Sequence, residues 1–371
     1  MSRILGIVNC DSASQKGVAI TKYRSIGAVS FLGRYRLIDF VLSNMANSGI
    51  QEIKVLVNDN PHSIVEHVGG GDQYNINTKR GKLEFLFPQE VYASPLFNTD
   101  VRILHQNMRH IENELVDYIV IAPAHVLCSI NYQDVINSHV ASGAPLTIVY
   151  KNVNDANVNY EDSQCLTLNE RKEVVGIERN RGNRKNRSVS LESYVINRET
   201  FLSLVETALK ESAIYTLKDV IADLAEDTVI NAYQYKGYAS CINSLNNYYD
   251  TTMELIDYDT ARTLIKKDWP IYTQTNDSVP SLYTKDAHIR KSVVSNGCEI
   301  EGTVEHSVIG RNVKIGKGTV IRNSVVMADS KIGANVHLDN VVVDKDVIIK
   351  HAVELEGTED NPVYIDRGDH L

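Results

Sequence analysis

The sequence predicts an α/β domain with a mostly parallel sheet, followed by a parallel β-helix made of hexapeptide repeats. Two observations lead there. Over roughly the first 250 residues, short apolar runs alternate with helix-period patterns, the rhythm of strands joined by helical crossovers. Beyond a break marked by Pro270, Asn276, Asp277 and Pro280, aliphatic residues recur at 309, 315, 321, 332 and 338, each with a small or branched residue four positions later. Stacked coils of that pattern bury one aliphatic column per face.

In chain order, strands are expected over 4–8, 53–57, 118–121, 146–150 and 194–196. The segment 36–49 reads as a helix, because Leu37, Val41 and Met45 share one stripe and Gly49 suits the C-terminal cap. A second helix over 132–142 ends at Gly143 and leads into the 146–150 strand, a βαβ unit whose strand ends form a ligand crevice. Helices over 198–210, 218–225 and 244–256 complete the domain. The expected division is 1–262 for the α/β domain, 263–283 for a linker and 284–371 for the β-helix, with irregular coils over 288–303.

Bulk properties exclude several classes of function. A composition 43% apolar and 23% charged is that of an ordinary globular protein, and no run is long and apolar enough to span a bilayer. The N-terminal apolar stretch is cut off by Asn9 and Asp11, so it reads as a strand and not as a signal peptide. Cys10, Cys128, Cys165, Cys241 and Cys298 are scattered without metal or redox spacing, which fits the reducing cytoplasm. The formal charge of −9 argues against general nucleic-acid binding. One basic run, from Arg171 to Arg187, reads as a solvated loop around Gly182 and Asn183, or else as a contact for a phosphorylated ligand or acidic partner.

The segment Phe31-Leu32-Gly33-Arg34-Tyr35-Arg36-Leu37-Ile38-Asp39-Phe40, continued by Leu42-Ser43-Asn44 and Asn47-Ser48-Gly49-Ile50, resembles the signature of glucose-1-phosphate adenylyltransferases. Thr99-Asp100-Val101 followed by His105-Gln106-Asn107 is similar to a second motif of that family, and the hexapeptide repeat matches its C-terminal domain. The resemblance implies a Rossmann-like nucleotidyltransferase domain followed by a left-handed β-helix. It also implies a reaction joining ATP and glucose 1-phosphate into ADP-glucose and diphosphate, for glycogen synthesis. That reaction brings two anions together, so it requires a donor-rich loop around the triphosphate and carboxylates holding a divalent cation.

The sequence departs from the family at each of those places. The loop from Asn9 to Lys16 has neither glycine nor arginine, and Ile26-Gly27-Ala28-Val29-Ser30 lacks the family's Lys-Pro. Ala124, in Ala122-Pro123-Ala124-His125, stands where the resemblance places one metal aspartate, and Cys241 stands where it places the other. In Glu178-Arg179-Asn180 the sugar-phosphate lysine is absent, with Asn180 as the degenerate position. No catalytic residue and no metal ligand is therefore expected. Gln106, Asn107, His125 and Glu178 are expected to line a vestigial nucleotide and sugar pocket. Asp11 and Asp100 are weak substitutes as ligands, because neither falls where the family places one.

The chain is thus similar to the family's non-catalytic, regulatory GlgD-type subunits. That resemblance implies a heterotetramer with a catalytic GlgC-type partner that uses Mg²⁺ and ATP, while this chain binds no cofactor itself. Arg34 and Arg36, with Lys22 and Arg24 beside them, are candidates for binding a phosphorylated effector near a helix N-terminus; the other reading is that they pair with acids such as Asp39. His125 reads as structural for want of a carboxylate in its motif, and Cys10 and Cys241 as inert for want of a nearby base. His306, His337 and His351 read as packing or contact residues of the β-helix. Two further readings stay open: an active nucleotidyltransferase with displaced metal ligands, and a stand-alone sugar-phosphate or nucleotide sensor.

Overall fold

The computed structural model describes residues 3–10, 19–76, 81–92, 94–351 and 353–371. The Asp11–Lys16 part of the departed loop lies outside the described residues.

A nine-stranded sheet forms the first domain, in the order 82–86, 52–56, 4–9, 118–123, 187–197, 146–153, 230–234, 173–179, 164–168. The first four of these run parallel, as the alternating pattern predicts. The strand Arg187–Asn197 is antiparallel to both of its main neighbours, a single reversed strand beyond which Leu146–Val153 and Ile230–Gln234 run parallel to the first four again. Strands near the middle, such as Ile4–Asn9 and Tyr118–Pro123, are buried along nearly their whole length, because helices cover both faces.

Helix Leu37–Asn47 differs from the one-stripe expectation. Residues 37–46 are all buried, the polar Asp39, Ser43 and Asn44 included. Ile38, Val41, Leu42 and Met45 pack toward the sheet, whereas Leu37 and Phe40 join a cluster that reaches Val308, Val325 and Val342 of the β-helix. A helix buried all round is one covered on both sides. Gly6 lets the first strand approach it, since a Cβ there would lie 2.7 Å from Met45 Sδ.

Three parallel five-stranded sheets form the walls of the C-terminal left-handed β-helix. Ile309, Ile315, Ile321, Ile332 and Leu338, the residues that set the six-residue period, are all buried inside it. The irregular 288–303 stretch forms coils, with His288–Arg290 pairing to Thr303–Glu305.

The domain division shifts slightly from the expected one. The last helix, Tyr258–Leu264, crosses position 262, and the first coil strand, Leu282–Tyr283, precedes 284. The segment between them is a strap and not a free linker. Trp269 Nε1 donates to Asn44 Oδ1 at 2.8 Å, Asn47 Nδ2 donates to the Pro270 carbonyl at 2.9 Å, and the Tyr272 amide donates to Ser43 Oγ at 2.8 Å. Polar residues exposed by pattern on helix Leu37–Asn47 are thereby satisfied.

The β-helix packs directly on the first domain. Gly33, in the left-handed region at φ +68°, turns the chain so closely that a Cβ would sit 3.1 Å from the Ile309 carbonyl oxygen. Tyr249 donates to the Asn323 carbonyl at 2.7 Å and to Asn340 Oδ1 at 2.8 Å. Arg24 and Asp344, at 3% and 1% side-chain exposure, form an ion pair at 2.8 Å across this boundary, and Tyr364 donates to the same carboxylate at 2.5 Å. Burial without such partners would cost several kcal/mol per charge, of the order given for isolated buried ions.

Candidate functional site

A cavity of about 450 Å³ opens where the strand Ile4–Asn9, the strand Tyr118–Pro123 and the central strand Arg187–Asn197 meet the N-terminus of helix Leu217–Asp227. Its floor includes the C-terminal ends of Ile4–Asn9 and Tyr118–Pro123, neighbours between which the strand order reverses, the usual place for a ligand crevice in an α/β fold. The hairpin strands Gln164–Leu168 and Glu173–Arg179 close one side.

Two bonds of local geometry build the centre of this cavity. The central strand carries a register shift between Ser190 and Ser193, and within that bulge Glu192 adopts φ +51°, an uncommon conformation for a residue with a side chain. The bulge turns the Glu192 carboxylate into the cavity at 7% exposure. Lys218, in the first turn of its helix, places Nζ 2.5 Å from Glu192 Oε1. His125, just past the end of Tyr118–Pro123 and 1% exposed, places Nε2 3.5 Å from Glu192 Oε2.

Electrostatics follow from that triangle. Burial by itself disfavours the His125 cation, but Glu192 and then Cys241 outweigh it and lift the imidazole to about 9. Burial likewise disfavours the Glu192 anion, and Lys218 followed by His125 overcomes this and holds the carboxyl down at about 2. Lys218 is desolvated too, yet Glu192 raises its pKa above the ordinary lysine value. The three groups form a +1, −1, +1 set, of net charge +1, in which one carboxylate serves two cations.

Other carboxylates at the cavity are each committed. Asp100 accepts from Asn9 Nδ2 at 2.9 Å, from its neighbour's amide at 2.8 Å and from the Leu217 amide at 3.0 Å; burial raises its pKa and these three donors oppose the rise. Asp162 pairs with Arg179 at 2.8 Å and Glu178 with Arg187 at 2.5 Å. Asp219 caps its own helix by accepting from the Thr216 amide at 2.9 Å and hydroxyl at 2.7 Å. Ala124 and Cys241 do come together, since Cys241 pairs with Val126 in a two-stranded sheet, but neither offers an oxygen. A hard divalent cation needs several free oxygen ligands, and the described residues around this cavity do not fit one. Among the described residues, the group close enough to share an ion is His337, Glu354 and Glu356, on the β-helix and outside this cavity.

Two uncharged polar atoms of the cavity, in contrast, lack hydrogen-bond partners: Tyr194 Oη and Gln164 Oε1. Buried polar groups are almost always paired, so orphans lining a cavity point to something that enters it.

The residues expected from sequence divide sharply. His125 and Glu178 line the cavity. Gln106 and Asn107 do not: Gln106 Oε1 accepts from the Gln89 amide at 2.8 Å, and Asn107 Nδ2 donates to the Phe87 and Ile103 carbonyls at 2.8 Å, so both hold the strand-to-helix connection in place. Asn180 is fully buried and donates to the Ala156 and Tyr160 carbonyls at 2.7 and 2.8 Å; the neighbour that reaches the cavity is Arg179. His125 has the carboxylate partner its own motif lacks, and Cys241 has an imidazole beside it, both corrections to the sequence reading.

The basic run is mostly a solvated surface, with Arg171, Lys172, Arg181, Arg184 and Lys185 exposed. The four cationic candidates lie where the two domains meet. Lys22 is bound to Asp366, Arg24 to Asp344, Arg36 to the Ser63 carbonyl, and Arg34 stacks over the Tyr35 ring. Asp39 makes no direct ion pair with the Arg36 guanidinium, although it is the opposing charge that acts most strongly on it; its Oδ2 accepts from the Arg36 amide at 2.8 Å and its Oδ1 bonds His67 and Tyr74 at 2.6 Å each.

Sequence reasoning missed Glu192, Lys218, Asp162 and Tyr194. A single charge interrupting the apolar run Val189-Ser190-Leu191-Glu192-Ser193-Tyr194-Val195 was the available signal for the first.

A nucleotidyl transferase family model matches residues 18–251, and a GlmU-like, C-terminal hexapeptide model matches 278–361. The glycogen biosynthesis protein GlgD of Geobacillus stearothermophilus is 34% identical over 325 residues, 86% of this chain and 83% of the relative. Its counterpart GlgD from Bacillus subtilis (strain 168) is 29% identical over 367 residues, 99% of this chain and 96% of the relative. The glucose-1-phosphate adenylyltransferase of Fervidobacterium nodosum is 26% identical over 373 residues, covering 98% and 89%.

Proposed function

The chain belongs to the glucose-1-phosphate adenylyltransferase family, on its GlgD-type side, and from that premise we propose that it acts in glycogen biosynthesis as a regulatory, catalytically impaired subunit. Its proposed partner is a catalytic GlgC-type adenylyltransferase, which makes ADP-glucose and diphosphate from ATP and glucose 1-phosphate with Mg²⁺. The two associate as a heterotetramer in the cytoplasm.

The observation that carries this reading is the state of the carboxylates. The positions assigned to metal aspartates hold Ala124 and Cys241, and the cavity carboxylates are each engaged by an internal donor. Transfer of a nucleotidyl group builds negative charge on phosphorus oxygens, and one lost stabilising contact costs about 3–4 kcal/mol. Losing a cation site altogether leaves positioning without the electrostatic part of the chemistry.

Regulation is proposed to run through the domain boundary, with Arg34, Arg36, Lys22 and Arg24 receiving a phosphorylated effector. A surplus of positive charge there supports it. Lys345 is pushed down to about 8, first by burial and then by repulsion from Arg36 and Arg24. An anion binding among them would relieve that repulsion and bridge both domains. Among the described residues, no helix is long and apolar enough to cross a membrane.

The test compares this chain alone, the catalytic homologue alone, and both co-expressed, for ADP-glucose formation with Mg²⁺. Silence from this chain and a changed rate or effector response in the mixture are expected. Mg²⁺-dependent product from the isolated chain would instead make it an enzyme with displaced ligands. Silence without co-purification, combined with a ligand-induced rise in melting temperature, would make it a stand-alone sensor.

A further inference from the structure

We propose that Glu192 is a resident anion: its carboxylate fills the place between Lys218 and His125 that an anionic group of a ligand would take, and so excludes phosphate esters from the cavity. The proposal rests on the reading that this cavity descends from a nucleotide-transfer site in which phosphate has to be received.

Three independent features support it. First, Lys218 and His125 come from different elements, a helix N-terminus and a strand end, yet both aim at the same carboxylate, at 2.5 and 3.5 Å. A buried and a part-buried cation converging on one point form a receptor for an anion, and here the chain supplies its own. Second, Glu192 reaches that point only through a bulge and a φ of +51°. A non-glycine residue is held in that region only when its surroundings impose it. A side chain that merely filled the sheet would need neither. Third, the cavity around the carboxylate is not collapsed. Tyr194 Oη and Gln164 Oε1, both lining it, are buried without hydrogen-bond partners. Room and hydrogen-bonding capacity persist while both cations already face a carboxylate.

Its consequence is a reversal of specificity on removing one charge. Glu192→Gln keeps the size of the side chain and frees Lys218 and His125 for an external anion. Glu192→Ser frees them and also opens space. Binding is measured by titration calorimetry with glucose 1-phosphate and with orthophosphate, near pH 6.5 and at ionic strength fixed with chloride. The parent chain is expected to bind neither saturably, while both variants gain at least about tenfold in affinity, roughly 1.4 kcal/mol. Lys218→Ala added to Glu192→Gln is expected to abolish the gain.

Because loss of a buried charge can weaken folding, melting temperature serves as a second readout. Orthophosphate is expected to raise it in either variant and leave it unchanged in the parent. Tight, Glu192-independent binding by the parent, equal thermal shifts in all three proteins, or a gain that survives removal of Lys218 would each overturn the proposal. Failure of the regulatory reading has a different sign, namely product formation by the isolated chain.

Discussion

His125 shows how far one side chain's chemistry is set by residues remote in sequence. Its folded pKa of about 9 lies above the ordinary histidine value of 6.5, so the charged form is the one the fold favours. A group raised in this way stabilises the protein fully below its unfolded value, and that contribution is lost as pH rises through the folded value. Glu192 is the opposite case: held at about 2 against an ordinary 4.5, it stabilises above 4.5 and the contribution disappears as pH falls toward 2. The pair with Lys218 is therefore worth most between roughly pH 4.5 and 6.5. Unfolding free energies from urea titrations between pH 6.5 and 9 are expected to decline by about 1–3 kcal/mol in the parent, with Glu192, Lys218 and Cys241 as the groups facing the ring. In His125→Gln that decline is expected to flatten. An unchanged slope in the variant would mean that the imidazole is not the group being titrated.

The coils of the β-helix turn at residues that accept a left-handed backbone, among them Asn312, Asn323, Asn335 and Asn340, with φ between 42° and 58°. Asparagine is tolerated there because its short amide hydrogen-bonds locally. Asn323 does more than turn the chain: its amide donates to Asp339 Oδ1 at 2.9 Å and its carbonyl accepts from Tyr249 of the first domain at 2.7 Å. Asn323→Val is expected to lower stability by about 1–3 kcal/mol, mostly through backbone strain. Asn323→Gly should lose less than Val, because it keeps the turn and loses the amide contact; thermal melts of the two variants separate the causes. These elements were legible in the sequence because a six-residue period and helix-period stripes are local signals. The helices over 132–142 and 198–210 were readable for the same reason. Glu192 was not, since its role depends on a bulge in one strand and on cations from two other elements. Nor was the structural use of Gln106, Asn107 and Asn180, whose motif positions say nothing about which way their amides turn. Resemblance carried the ancestry of those positions, whereas the carbonyls they serve are set by the fold.

At the scale of the whole molecule, the described residues of the two domains share an apolar cluster and a buried ion pair, so the domains should unfold together. Phe31, Leu37 and Phe40 on one side meet Val308, Val325 and Val342 on the other, and Arg24 reaches across to Asp344 at 2.8 Å. The cluster supplies attraction without direction, while the ion pair, reinforced by Tyr364, fixes how the domains sit. Asp344→Ala leaves Arg24 buried with no carboxylate and Tyr364 with only the longer bond to the Ala19 carbonyl at 3.4 Å. Breaking one partner of such a pair costs about 3–5 kcal/mol, a cost that falls on the boundary and not on either core. Scanning calorimetry of the parent is expected to give one transition. In Asp344→Ala it should split, the first domain melting earlier and the β-helix, whose aliphatic columns are self-contained, persisting. A single transition shifted down as a whole would instead assign the coupling to the apolar cluster. Because an effector at this boundary could act only by shifting how firmly the domains hold each other, the same variant is also expected to blunt the effector response of the co-expressed assembly. Its basal rate, generated in the partner, should change less.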